Sequence, residues 1–131
     1  MAFPNGAGGY QVGDGNLSEV TLGTQSAPIA KTAAATLTAA ELANGIITYT
    51  GSAVNLTVPT GADLDAAFTS MKVNSCFDFY IINTGATNAA TLVVNTGCTI
   101  VGAAAVSAAT SCNWRVRKSA DATYVFNRIA G

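Results

Sequence analysis

The sequence predicts a mainly β protein. The expected form is an antiparallel β-sandwich or jelly-roll-like barrel with two short helices and an extended N-terminal arm. Three observations carry this. Seven or eight short runs of alternating apolar and polar residues are separated by Gly, Asn, Ser and Pro turns. Two segments open with helix-capping residues and are too short for long helices. Residues 1–28 are glycine-punctuated and carry few large side chains. At 131 residues the chain fits one domain, read as residues 29–131 behind the arm at 1–28.

The arm holds Gly6, Gly8, Gly9, Gly13, Gly15 and Gly23, a density that costs too much backbone entropy for a regular element. It is expected to order only against a partner. Phe3, Tyr10, Leu17, Val20 and Leu22 are its candidate contact residues, and Leu17–Leu22 can form one short strand. Gly13-Asp14-Gly15 is not a phosphate loop, because no Lys-Ser/Thr pair completes one.

The elements of the domain follow in order. Lys31–Leu37 alternates small and β-branched residues. Thr38-Ala39-Ala40-Glu41 is a capping box, in which hydroxyl and carboxylate each accept a free N–H, and Asn44-Gly45 is a left-handed exit. Ile46–Thr50 is a strand, and Val54–Val58 places Val54, Leu56 and Val58 on one face until Pro59 ends it. Thr60 opens a second helix running to about Met71, with Leu64, Phe68 and Met71 at helical spacing. Cys76–Asn83 sets Phe77, Phe79 and Ile81 against Asp78, Tyr80 and Ile82. Ala90–Asn95 and Cys98–Val101 read as a hairpin around Asn95-Thr96-Gly97. Ser111–Lys118 and Thr123–Ala130 read as a final hairpin. The favoured register opposes Trp114 and Val116 to Arg128 and Phe126, which gathers more aromatic area on one face.

Composition points away from catalysis. There is no histidine, which removes the commonest general base and metal ligand, and with them Ser-His-Asp and Cys-His chemistry. Asp63 and Asp65 are the candidate carboxylate pair, but two residues apart on a helix they point to different faces. Asp63 reads as a first-turn dipole partner and Asp65 as a solvated charge. The expectation is no enzyme, no cofactor and no metal. Cys76, Cys98 and Cys112 are odd in number and widely spaced, and read as reduced, buried, small hydrophobes in a protein made in the cytoplasm. The start Met1–Gly6 has neither basic nor apolar signal regions, and no apolar run spans a bilayer, so membrane contact is not expected.

Only 10% of residues are charged, the net charge is −1, and 25 of the 65 hydrophobic residues are alanine. Nucleic-acid binding is not expected, because phosphates demand an excess of Lys and Arg. A surface of hydroxyls, amides and methyls suits lasting contact with neighbouring chains. Residues 112–131 carry Arg115, Arg117, Lys118 and Arg128 against Asp121 alone. This reads either as a solvated hairpin edge or as a basic edge meeting a neighbouring copy. Asp78, Arg115 and Arg117 are the candidate subunit-interface charges.

Ala35–Thr48, containing Leu37-Thr38 and Glu41-Leu42 before Gly45-Ile46-Ile47-Thr48, is followed by Leu56-Thr57-Val58-Pro59-Thr60-Gly61-Ala62 and Leu64-Asp65-Ala66. With Phe77–Thr84 and Arg115–Lys118 before Tyr124–Ile129, this pattern resembles the small head decoration, or cement, proteins of tailed bacteriophages. The resemblance covers about residues 33–130. It implies a non-enzymatic structural protein of the virion, a homotrimer on the outer face of an icosahedral capsid, bound to the major capsid protein and clamping neighbouring capsomers. The alternative is a head-fibre or tail-spike module that binds a receptor carbohydrate.

Overall fold

A computed structural model describes residues 22–131. The arm residues Phe3, Tyr10, Leu17 and Val20, and most of the Leu17–Leu22 segment, lie outside the described residues. Residues 22–28 form no regular element and are exposed.

The described residues form ten strands and two helices in the order β1 (Ile29–Lys31), β2 (Ala35–Thr36), α1 (Ala39–Asn44), β3 (Ile46–Tyr49), β4 (Val54–Thr57), α2 (Gly61–Ala67), β5 (Cys76–Asn83), β6 (Ala90–Val93), β7 (Cys98–Val101), β8 (Ala105–Val106), β9 (Ser111–Ala120) and β10 (Thr123–Ala130). The stretch Lys31–Leu37 is broken into the two short strands β1 and β2 rather than one. The molecule is mainly β, as its alternating runs require.

The helices begin where the capping residues stand. Thr38 accepts from the Glu41 amide, and the Glu41 carboxylate accepts from the Thr38 amide at 3.0 Å. Gly45 closes α1 with φ of 95°, a left-handed conformation that glycine adopts without a Cβ penalty. Removing this cap by Thr38→Ala is expected to cost about 1 kcal/mol, read as a lower urea midpoint at unchanged m-value. Thr60 caps α2 by accepting from the Asp63 amide.

The pairing departs from an all-antiparallel sandwich or jelly roll. A six-stranded sheet runs β1-β3-β5-β9-β10-β7 and a four-stranded sheet runs β2-β4-β6-β8. Both are mixed: β1 with β3, β3 with β5, β2 with β4, β4 with β6 and β10 with β7 are parallel. The cause is the path of the chain. From β1 to β9 each strand belongs to the sheet opposite its predecessor, so the chain returns to each sheet after an excursion through the other; β3 and β5, and β4 and β6, return parallel to the strand they join, whereas β8 and β9 return antiparallel to β6 and β5. For the same reason Asn95-Thr96-Gly97 does not make a hairpin. It carries the chain from β6 in one sheet to β7 in the other.

Direct reversal occurs at β9–β10. Phe126 faces Val116 and Arg128 faces Trp114, the register that buries the aromatic side. That hairpin is not an edge: β5 flanks it on one side and β7 on the other.

Both sheets and both helices contribute to one core. Leu56 and Leu92 from the small sheet join Ile47, Tyr49, Phe79, Trp114 and Phe126 from the large one, with Leu42 and Leu64 from the helices. Burying a large apolar side chain contributes roughly 1.5–3 kcal/mol, so this cluster dominates the favourable side of folding. Phe79 lies 6.5 Å from Trp114 in a stacked arrangement and 6.1 Å from Phe126 edge-on.

Candidate partner interface

The outer face of the six-stranded sheet holds the candidate interface charges. Alternation along β5 turns Phe79 and Ile81 inward and leaves Asp78, Tyr80 and Ile82 outside. Register then builds rows across the sheet. Asp78 lies beside Arg115, which lies beside Asn127, which lies beside Val101. Ile46, Tyr80 and Asn113 form a second row, and Thr48, Ile82 and Ser111 a third. Tyr80, Ile82 and Val101 are 45%, 36% and 55% exposed. These large apolar groups therefore remain in water on a face that no other described element covers.

Asp78 and Arg115 are matched to each other on this face. Arg115 grips Asp78 with two hydrogen bonds, Nε to Oδ1 at 2.8 Å and Nη2 to Oδ2 at 3.0 Å. The Arg115 guanidinium holds the Asp78 carboxyl below its ordinary range, and Asp78 in turn raises the guanidinium. Arg117 donates to Asn74 Oδ1 at 2.9 Å. A partner that covers Asp78 and Arg115 meets an ion pair with its geometry set, so it need not supply a charge for either of them.

The basic edge expected for residues 112–131 is dispersed instead. Lys118 points inward, is 8% exposed, and pairs with Asp65 at 3.0 Å. Arg128 straps β10 to the segment between β7 and β8. It donates to the carbonyls of Ala103 at 2.8 Å and Ala105 at 2.6 Å, and its guanidinium lies 5.7 Å from the centre of the Trp114 ring.

Asp65 is not a free surface charge. Its carboxylate accepts from Tyr124 Oη at 2.6 Å and from the Ala122 amide at 2.7 Å, besides Lys118. It thereby ties α2 to the β9–β10 turn. Gly61 at the start of α2 lies so close to this turn that a Cβ there would collide with the Ala122 carbonyl oxygen. Asp63, in the first turn of the same helix, is exposed and makes none of these bonds, so the two carboxylates do not share a site.

The Tyr124 hydrogen bond, with Lys118 and the Ala122 amide behind it, holds the Asp65 carboxyl below its ordinary range. Burial and the same bond push the Tyr124 phenol up. Glu41 is also lowered: burial raises it, but Lys31 at 2.6 Å and the Thr38 amide outweigh that. A carboxylate held low in the fold stabilises it fully above the ordinary carboxylate range. That contribution drains away as pH falls through the folded value. Melting temperature is therefore expected to fall between about pH 5 and about pH 2. Asp65→Asn should flatten that fall and lower the melting temperature at neutral pH more than Asp63→Asn does.

The three cysteines are free. Cys98 and Cys112 are buried as expected, and burial pushes the Cys98 thiol up to about 11. Cys76 is exposed, because it stands on the outer side of β5 opposite Arg117. Among the described residues no group of His, Cys, Asp and Glu is placed to hold a metal, and no helix is long and apolar enough to cross a membrane. Of the arm residues, Leu22 is described and is 85% exposed.

No protein-family model, curated protein or solved structure matches the chain.

Tyr80 and Ile82 are exposed apolar residues that the charge-based reading passed over. Their signal is in the alternation of β5, which sets them on the face opposite Phe79 and Ile81.

Proposed function

We propose that this protein is a structural virion component, a head decoration or cement protein. In this reading it sits as a homotrimer on the outer face of an icosahedral phage capsid, binds the major capsid protein, and stabilises contacts between capsomers. We read the two sheets as the layers of a β-sandwich. The outer face of the larger one meets the neighbouring copy, and the N-terminal arm, through Phe3, Tyr10, Leu17, Val20 and Leu22, lies across the capsid or a neighbouring subunit.

The observation that carries the reading is that outer face. It exposes Tyr80, Ile82 and Val101 while Asp78 and Arg115 neutralise each other beside them. Burying that part of the face removes apolar area from water and leaves Asp78 and Arg115 paired. The sequence pattern of residues 33–130 supports the same assignment by its resemblance to head decoration proteins. Repetition over a capsid lattice then converts modest affinity per copy into firm attachment.

The carbohydrate-binding alternative asks for an open aromatic platform. Among the described residues Phe68 and Phe77 form an aromatic pair with centroids 5.1 Å apart, but both are half-buried and pack against the core.

Light scattering on the purified chain is expected to give about three times 13.1 kDa. The protein should also sediment with expanded heads. A monomer that ignores mature heads overturns the proposal, and specific hits on a glycan array would favour the alternative.

A further inference from the structure

The ladder between β7 and β10 shows which backbone groups of the sheet's last strand lie idle. Tyr124 stands in parallel register with Cys98, and Phe126 with Ile100. The Tyr124 amide donates to the Gly97 carbonyl at 2.9 Å. A parallel ladder steps by two residues, so Gly97, Thr99 and Val101 turn their backbone groups towards β10. Those of Cys98 and Ile100 turn away from it. β7 ends the strand order, so no strand meets them there. The Cys98 amide is taken by the Asn95 carbonyl at 3.0 Å. The Cys98 carbonyl and both backbone groups of Ile100 have no partner among the described residues. We propose that this edge is a contact site for a second copy of the chain, joined by antiparallel pairing of the two β7 strands about Ile100.

The other three edges are shorter. β1 has three residues and carries Lys31, and β2 and β8 have two each. β7 runs Cys98-Thr99-Ile100-Val101, without charge or proline, and its pairing with β10 contains no bulge. Charge, proline and bulges are the devices that keep a sheet edge from pairing with another chain, and this edge has none of them.

Its free groups fit a copy of themselves. Residues directly opposite in an antiparallel pair can exchange both backbone bonds. With Ile100 opposite Ile100 of the second copy, each amide meets the other's carbonyl across a two-fold axis. Thr99 then stands opposite Val101 of the second copy. Both are exposed, so the pairing covers apolar surface and brings no like charges together.

Four residues a side bury far less than the roughly 1,200 Å² of a stable interface, so the contact is weak in dilute solution. It is two-fold and cannot close a trimer. Alongside the proposed trimer it is a separate contact, which links one trimer to the next where a lattice holds them close. The pairing itself rests on the strand geometry and not on that role.

Two measurements on the full chain test the pairing. The first is amide hydrogen exchange followed by NMR. In dilute solution the Ile100 amide should exchange at least about tenfold faster than the Val101 amide, which faces β10. Raising the protein concentration should slow Ile100 and leave Val101 unchanged. An Ile100 rate that does not depend on concentration overturns the proposal, whether it is fast because nothing pairs there or slow because the same chain does. The second is a covalent trap. Chains with Thr99→Cys are mixed with chains with Val101→Cys, both carrying Cys76→Ser to remove the exposed native thiol, and treated with glutathione disulfide. Two protein thiols are oxidised to one disulfide between chains as one glutathione disulfide is reduced to two glutathiones. The mixture should give at least about tenfold more linked dimer than either variant alone, because opposed positions fall within disulfide reach and like positions do not. Equal yields overturn the proposal. Neither readout depends on capsid binding.

Discussion

Trp114→Ala is expected to lower the melting temperature by roughly 10–20 °C, from a cavity cost of about 3–5 kcal/mol. Trp114 is the single tryptophan, it is fully buried, and it stands on the interior strand β9, stacked on Phe79 and covered by the Arg128 guanidinium. Its removal leaves Phe79 without its stacked neighbour and leaves the Arg128 guanidinium over a void. Total stability of a domain this size is about 5–15 kcal/mol, so the variant sits near the edge of folding. Trp114→Phe separates area from polarity. The indole Nε1 is buried without a hydrogen-bond partner among the described residues, and such an orphan carries a desolvation cost. Phenylalanine keeps a ring in place and removes that N–H, so its loss is expected to stay within about 1.5 kcal/mol. Far-UV circular dichroism followed through thermal unfolding reads both variants. A shift of less than about 5 °C for Trp114→Ala would show that the cluster is not the centre of stability.

Local features of this fold are legible in the sequence because their causes are local. The Thr38–Glu41 box and Gly45 lie within one short helix and specify both its ends. The alternation of β5 sorts Phe79 and Ile81 from Tyr80 and Ile82 without reference to any partner. The β9–β10 register is legible because one pairing buries more aromatic area than its slipped neighbour. Sheet membership is different. Nothing within Ala90–Val93 or Cys98–Val101 states that these runs cross between sheets. Asn95-Thr96-Gly97 has the composition of a hairpin turn, and the pairing is decided by β4, β8 and β10 far away in the chain. The same holds at Asp65. Its partners lie at 118, 122 and 124, so a residue that reads as a solvated charge on an isolated helix becomes the tie between helix and hairpin. Periodicity identifies which side of an element is apolar. It does not identify what the polar side will meet.

On the proposed role, Tyr80→Thr combined with Ile82→Thr is expected to leave the fold intact and abolish the proposed trimer. Both positions face outward on β5, and threonine keeps the β-branched preference of the strand while removing most of the exposed apolar area. Each change is a surface substitution away from the core, so its effect on stability should stay within about 0.5 kcal/mol. Association responds differently, because buried aromatic anchors near the centre of an interface each contribute about 2 kcal/mol or more. Losing Tyr80 and Ile82 together should weaken self-association more than about 100-fold. The double variant should then scatter light as a single 13.1 kDa chain and fail to sediment with expanded heads. Arg115 and Asp78 provide the internal comparison. Their pair is complete within one chain, so Arg115→Gln with Asp78→Asn removes the two charges together and should weaken association far less than the apolar change does. If the apolar variant remains trimeric and binds heads while the charge variant does not, the face works through its ion pair, and the hydrophobic argument for its role is wrong.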